Sequence, residues 1–254
     1  MTKINLKNLS TQVIDKSKKE EIKLENTKLI IEIVELQKKM YAQSKRSLLI
    51  VIQGMDASGK DGAVRRTLSG VNPNGIMVKS FKKPTEEELS HDFLWRVHPH
   101  APAKRMIQVF NRSHYEDILI PTVYDLMSKK DIDKRYDAIN HFESQVESNG
   151  TTILKFFLHT SIDEQYKRLM ERVEIKEKHF KHNDGDWETR KHWDKFEEVY
   201  ENIFQKCNSP KWTIVPSDKN WEKVNVIAKS ILSALKDMDL KWPALESELF
   251  GEKK

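Results

Sequence analysis

The stretch from Leu48 to Gly62, LLIVIQGMDASGKDG, limits what this chain can fold into more than any other. Leu48 to Gln53 is a run of mostly branched apolar residues, which predicts a short buried strand. Gly54-x-x-x-x-Gly59-Lys60 comes next, and then a helix-forming run through Leu68. A strand, a glycine loop and a helix in that order form the setting of a Walker A loop. The glycines allow the backbone, with Ala57, Ser58 and Gly62, to approach phosphate oxygens. Successive amides and the helix N-terminus then favour anions. Lys60 supplies a mobile positive charge, for which a plain strand-to-helix turn has no use.

Loops of this type usually place Ser or Thr after the lysine, where the hydroxyl binds magnesium. Here the position is Asp61, and a second acid, Asp56, lies inside the loop. Two carboxylates in a phosphate cradle repel the ligand unless cations intervene. Both are therefore read as magnesium-binding or acceptor-activating groups, with capping of the following helix a second role open to Asp61.

The 254 residues allow one α/β domain or two small ones. Charged residues make up 33% of the chain, yet the net charge is only +5. That excess suits an anionic substrate without calling for nucleic acid. One cysteine, Cys207, excludes an internal disulfide framework. No apolar run is long enough to span a membrane and no signal peptide is visible, so the expected location is cytoplasmic.

Along the chain, residues 1 to about 18 read as a polar arm, mobile or packed on a neighbour. Leu29, Ile33, Leu36 and Met40 recur at helical spacing over about 20–45, predicting a helix packed on the sheet or on another subunit. Further strands are expected at Gly75–Phe81, Met106–Phe110, Thr151–Leu158 and Trp212–Val215. Helices are expected from Thr85 to about Val97, from about Asp133 to Gly150, from Ser161 to about Val173, from about Thr189 to Cys207 and from about Trp221 to Leu235. Thr85 with Glu88 and Ser161 with Glu164 have capping-box spacing. The charge-dense segment from about 174 to 192, with Asn183-Asp184-Gly185, is assigned as a mobile lid. Strands alternating with helices imply an α/β fold of three layers, α/β/α, with a parallel sheet. One domain is expected over 1–254, with an N-terminal helical extension over about 1–46.

Ligands of open parallel sheets gather at the carboxyl ends of the strands. Arg112, directly after the third strand, is placed to bind phosphate oxygens as a fork. Glu116 and Asp117 can orient magnesium or an acceptor, or lie on a solvated helix face. Of Arg65 and Arg66, helical spacing lets only one face the cleft, and Arg65, one residue more than a turn beyond Lys60, is taken as the phosphate-binding candidate. Lys82 flanks Phe81 with Lys79 and Lys83, and Phe81 has either a base or the core to pack on. Lys181 and Arg190 bring positive charge to the lid, nearly balanced there by acids.

GMDASGKDG, FNRSHYEDIL and KEKHFKHNDGDWETRKHW together resemble the Walker A, Walker B and lid elements of the second family of polyphosphate kinases. The resemblance runs from about Leu36 to Ile231. It implies a P-loop kinase fold of thymidylate-kinase type and reversible transfer of phosphate between inorganic polyphosphate and purine nucleotides. It implies Mg2+ as the cofactor, with Mn2+ as the alternative, and a homo-oligomer. By motif, Asp56 and Lys60 take the roles of loop carboxylate and phosphate-binding lysine, and Arg112 that of the Walker B arginine. Metal ligands are expected among Asp56, Asp61 and Asp117. Many members carry Asp where this chain has Asn111, and the NRSHYED version resembles the subgroup that accepts both AMP and ADP. An ATP-dependent nucleoside or nucleotide kinase of the same fold would share the loop and Arg112. A non-catalytic basic module that binds RNA or polyphosphate is the reading from another class, although no aromatic-basic nucleic-acid motif is present.

Overall fold

The computed structural model describes residues 4–247, 249 and 250. Among them five strands form one sheet: β1 (Ser47–Gly54), β2 (Ile76–Ser80), β3 (Ile107–Asn111), β4 (Thr151–His159) and β5 (Trp212–Pro216), in the order β2-β3-β1-β4-β5. Every neighbouring pair is parallel. β1 is central and buried along its whole length, whereas β2, at the edge, exposes Met77 and Val78. Parallel neighbours need crossovers, and the helices supply them. They are α1 (Lys19–Gln43), α2 (Lys60–Thr67), α3 (Glu86–Ser90), α4 (Glu116–Val123), α5 (Lys129–Ser148), α6 (Ile162–Glu174), α7 (Asp184–Arg190), α8 (Trp193–Lys206) and α9 (Asn220–Lys236).

The alternation of a strand sends successive side chains to opposite faces, and β1 feeds two cores in this way. Leu48, Ile50 and Ile52 pack with Ile33 and Met40 of α1, Val64 of α2 and Ile227 and Ile231 of α9. Leu49 and Val51 join Ile118 of α4, Ile139 and Phe142 of α5 and Tyr200 and Phe204 of α8 on the other side. The expected three-layer α/β/α architecture is the one observed.

The departures have local causes. α3 starts on a complete capping box between Thr85 and Glu88 but stops at Ser90, not Val97, because His91 is extended and the Asp92 carboxylate takes the Leu94 amide at 3.0 Å. At Ser161 only half of the box forms. Its hydroxyl caps Glu164, while its own amide goes to Asp218 and the Glu164 carboxylate to Arg168. α5 begins earlier than expected, on a Ser128 cap. α4 was not foreseen, since Pro121 lies inside it. The proline lacks the N–H that would bond the Asp117 carbonyl one turn back, and Arg135 donates to that carbonyl instead. The helix expected over 189–207 is two, α7 and α8, separated at Lys191–His192.

The described part of the N-terminal arm is packed on the rest of the chain; residues 1–3 lie outside it. Leu6 is buried in the core, the Leu9 carbonyl meets His159 at 3.1 Å, and Thr11 donates to Asp218 at 2.7 Å. Val13 and Ile14 amides share the Glu222 carboxylate. The arm thus crosses the carboxyl ends of β4 and β5.

Candidate active site

The loop between β1 and α2 closes on itself through Lys60. Its ammonium donates to the carbonyls of Gly54 at 2.8 Å and Met55 at 3.1 Å. Gly54 is required where it is: at φ +148° a Cβ would lie 2.9 Å from the Leu158 carbonyl oxygen of the adjacent strand. Ala57, at φ +60°, adopts a left-handed conformation that costs a non-glycine residue about 1 kcal/mol. The first intrahelical bond runs from Ala63 N–H to the Gly59 carbonyl, so the amides of Lys60, Asp61 and Gly62 precede the helical ladder and are available to an anion. Ser58 Oγ is buried with no partner among the described residues. Burial, with Arg112 adding to it, pushes the Lys60 ammonium down to about 8, against the pull of Asp56, Glu116 and Asp61.

Arg112 follows β3 at φ +59° and lies over this loop. It pairs with Asp56 Oδ1, and its other terminal nitrogen approaches Glu116 Oε2 at 3.6 Å. Glu116 also accepts from Gln53 at 3.1 Å. Burial raises Asp56, but Arg112 and Lys60 more than offset it and the carboxyl stays below its usual range. Asn111 Nδ2 donates to Asp61 Oδ1 at 2.6 Å. Behind Arg112, the unusual backbone is anchored by a buried polar cluster. Lys155 contacts Glu143 at 2.7 Å and Tyr115 at 3.1 Å, Tyr115 donates to Glu143 at 2.7 Å, and His114 meets the same carboxylate at 3.2 Å. The SHY of the sequence is therefore the buried root of the loop.

The remaining expected residues divide. Asp117 does not join Asp56 and Asp61: its Oδ2 pairs with Arg96 at 2.9 Å, and Arg96 also bonds the Lys82 carbonyl at 3.0 Å. Burial raises the Asp117 carboxyl in spite of Arg96. The Lys82 side chain is exposed. Arg65 is not the arginine nearer the loop: both Arg65 and Arg66 are exposed, but it is Arg66 whose Nη1 a Cβ on Gly62 would meet at 2.5 Å. Phe81 is buried edge-on against Phe110, the core alternative of its two readings. Arg190 is spent on α6, donating to the Ile162 carbonyl at 2.8 Å and Gln165 at 2.7 Å. Lys181 is exposed near Phe180, and its carbonyl accepts from Arg172 at 3.0 Å.

Four residues that local motif reading does not single out also bond the loop. Thr189 Oγ1 donates to Asp56 Oδ2 at 3.0 Å, and Gln165 to the Asp56 carbonyl at 3.1 Å. Arg168 donates to the carbonyls of Ala57 at 3.2 Å and Ser58 at 2.9 Å, and Lys223 to Ser58 at 3.0 Å. Amphipathic α6 offers the one usable signal, because Gln165 and Arg168 are spaced to share a face.

Among the described residues no three His, Cys, Asp or Glu side chains converge as a protein-only metal cage. Asp56 and Asp61 still fit magnesium, which is commonly held by one or two carboxylates and completed by substrate phosphates and water. Both stand in the loop that would hold those phosphates, and both act electrostatically on Lys60.

The sequence model of the family described as Polyphosphate kinase 2 (PPK2) matches residues 16–243. The AMP/ADP-polyphosphate phosphotransferase of Meiothermus ruber is 42% identical over 214 residues, covering 84% of this chain and 80% of that protein. The ADP-polyphosphate phosphotransferase of Rhodopseudomonas palustris is 38% identical over 223 residues, covering 82% and 77%. The crystal structure of polyphosphate kinase 2 from Arthrobacter aurescens TC1 superposes with a TM-score of 0.92 at 35% identity, covering 96% of this chain and 89% of that one.

Proposed function

This chain belongs to the polyphosphate kinase 2 family, and from that premise we propose that it is a magnesium-dependent enzyme using both AMP and ADP as acceptors. It transfers phosphate between polyphosphate and nucleotides. The dual acceptor choice is supported by the NRSHYED segment and by the name of the Meiothermus ruber relative. The observation that carries the reading is the convergence of Lys60, Arg112, Asp56 and Asp61 on one glycine loop. Cations alone would hold any phosphate; cations interleaved with carboxylates call for a bridging metal.

In the forward direction an acceptor phosphate oxygen attacks the terminal phosphorus of the polyphosphate chain. The P–O–P bond breaks, and the shortened chain leaves with the bridging oxygen. Lys60 and the free amides from Lys60 to Gly62 hold the transferring group. Arg112 exchanges its Asp56 pairing for phosphate oxygens, which offsets charge on the equatorial oxygens. Asp56 and Asp61 would hold magnesium, which would supply neutralisation of the phosphate charge. Asp117, through Arg96, supports the loop after β2. The segment from about 174 to 192 closes as a lid, with Thr189 reaching Asp56.

No helix among the described residues is long and apolar enough to cross a membrane. A cytoplasmic setting and a homo-oligomer belong to the same proposal, and analytical ultracentrifugation tests the latter. The function is tested by product analysis with purified protein, magnesium, and polyphosphate or ATP as donor to AMP or ADP. ADP and ATP formed from polyphosphate are expected. Turnover of ADP with AMP untouched would remove the dual-acceptor reading, and transfer from ATP alone would favour the nucleotide-kinase alternative.

A further inference from the structure

The carbonyl of Ser58 receives two charged donors, Arg168 Nη1 at 2.9 Å and Lys223 Nζ at 3.0 Å. A carbonyl oxygen has two lone pairs, and here basic side chains take both, where most buried carbonyls have a single partner. Arg168 is a junction. The same guanidinium bonds the Ala57 carbonyl at 3.2 Å, the Ser217 and Asp218 carbonyls at 2.8 and 3.1 Å, and the Glu164 carboxylate at 3.0 Å. It therefore ties α6 and the β5–α9 turn to the loop. Lys223, on α9, is fully buried and so close to the backbone that a Cβ on Gly59 would lie 2.5 Å from its ammonium.

A trans peptide unit is planar, with C=O and the following N–H pointing in opposite directions. Holding the Ser58 oxygen toward Arg168 and Lys223 therefore aims the Gly59 amide the other way, away from both cations. The restraint acts beside Ala57, whose left-handed backbone needs support from its surroundings. Burial is the main cause that pushes the Lys223 ammonium down to about 7. Arg168, Arg66 and Lys60 surround Lys223 with like charge, and Glu164 offsets only part of it.

We propose that Arg168 and Lys223 are positioning residues for phosphoryl transfer: they grip the Ala57 and Ser58 carbonyls, and with the Ser58 amide fixed on the Met55 carbonyl at 3.1 Å they turn the Gly59 amide onto the polyphosphate. This deepens the function proposed above and rests on the loop being the phosphate site. Both cations act through the backbone and need not touch the reacting phosphate.

The test uses the full chain and tripolyphosphate as the probe. Lys223→Met keeps the stem and removes the ammonium; Arg168→Lys keeps the charge and removes the fork. Calorimetry measures tripolyphosphate binding, steady-state assays measure transfer, and thermal melts report the fold. Lys223→Met is expected to melt at or above the wild-type temperature, since a buried cation is gone, while affinity and kcat each fall about tenfold or more. Arg168→Lys is expected to lose a similar factor, and the double variant less than the product of the two, because both act on one carbonyl. A folded Lys223→Met protein with wild-type affinity and turnover overturns the proposal, as does wild-type protein that fails to bind tripolyphosphate. Wild-type binding without transfer to AMP or ADP would instead sink the proposed function, and the binding arms alone would then judge the positioning role.

Discussion

Asn111 donates an amide hydrogen to Asp61 at the point where an aspartate would bring a second negative charge. Two carboxylates at that separation share a proton or a cation. Asn111→Asp is therefore expected to lower the magnesium concentration needed for half-maximal turnover and to change the ratio of AMP to ADP rates. Metal titrations with each acceptor check this, and superimposable curves would count against it. Lys60→Met removes the ammonium while keeping the stem; turnover is expected to fall about 100-fold or more with the fold retained by circular dichroism. The glycine spacing, Lys60, both loop acids and Arg112 were all legible in the sequence because each lies within or directly after a strand. Arg168 and Lys223 were not, since they reach Ser58 from 110 and 165 residues away. Nor could the competition between Arg65 and Arg66 be settled before the helix had a neighbour to face. Asp117 is a related case: its partner, Arg96, lies in a turn within a stretch whose pattern predicts helix.

At the scale of elements, α4 holds a proline that sequence rules read as a break, and Arg135 makes it tolerable by bonding the Asp117 carbonyl. Arg135→Met leaves that carbonyl unpaired beside the buried Arg96 pair. A loss of about 1–3 kcal/mol in denaturant unfolding is expected, with a smaller change in KM. The lid is attached chiefly by polar contacts: Arg172 to Asp186 at 2.5 Å, Arg190 to Gln165 at 2.7 Å, and Thr189 to Asp56. Replacing the stretch from Glu174 to Trp187 with a glycine bridge should therefore leave the melting temperature within several degrees of wild type. It should also cut phosphoryl transfer, because water then reaches the phosphates. Full turnover by a monodisperse deletion variant would show the segment to be dispensable. The strands were legible almost to the residue, since central parallel strands are continuous apolar runs. Helix ends were less so, because Asp92 and the Lys191–His192 break act through backbone contacts that carry no strong sequence mark.

On the scale of the whole molecule, the first long helix is built against the last. Asn26 of α1 bonds the Trp221 carbonyl at 2.8 Å and meets Asn225 of α9 at 2.9 Å. Glu25 and Glu32 pair with Lys229 and Lys236. The arm before α1 is fastened to β4, β5 and α9 in the same way. On a ribosome these two ends are separated in time. Nearly the whole chain must be made between Met40 and Lys236, on the order of 10–40 s at the usual pace of synthesis. During that interval Ile33 and Met40 have no α9 to cover them, and nascent chains of this kind are candidates for chaperone capture. Chains stopped at Asp218, before α9, are expected to pellet after lysis while chains ending after α9 stay in the supernatant. Supplying residues 219–247 as a separate co-expressed fragment should return part of the shortened chain to solution. α9 thus completes the cover of α1, and a product that stops short of it declares itself by exposing that face.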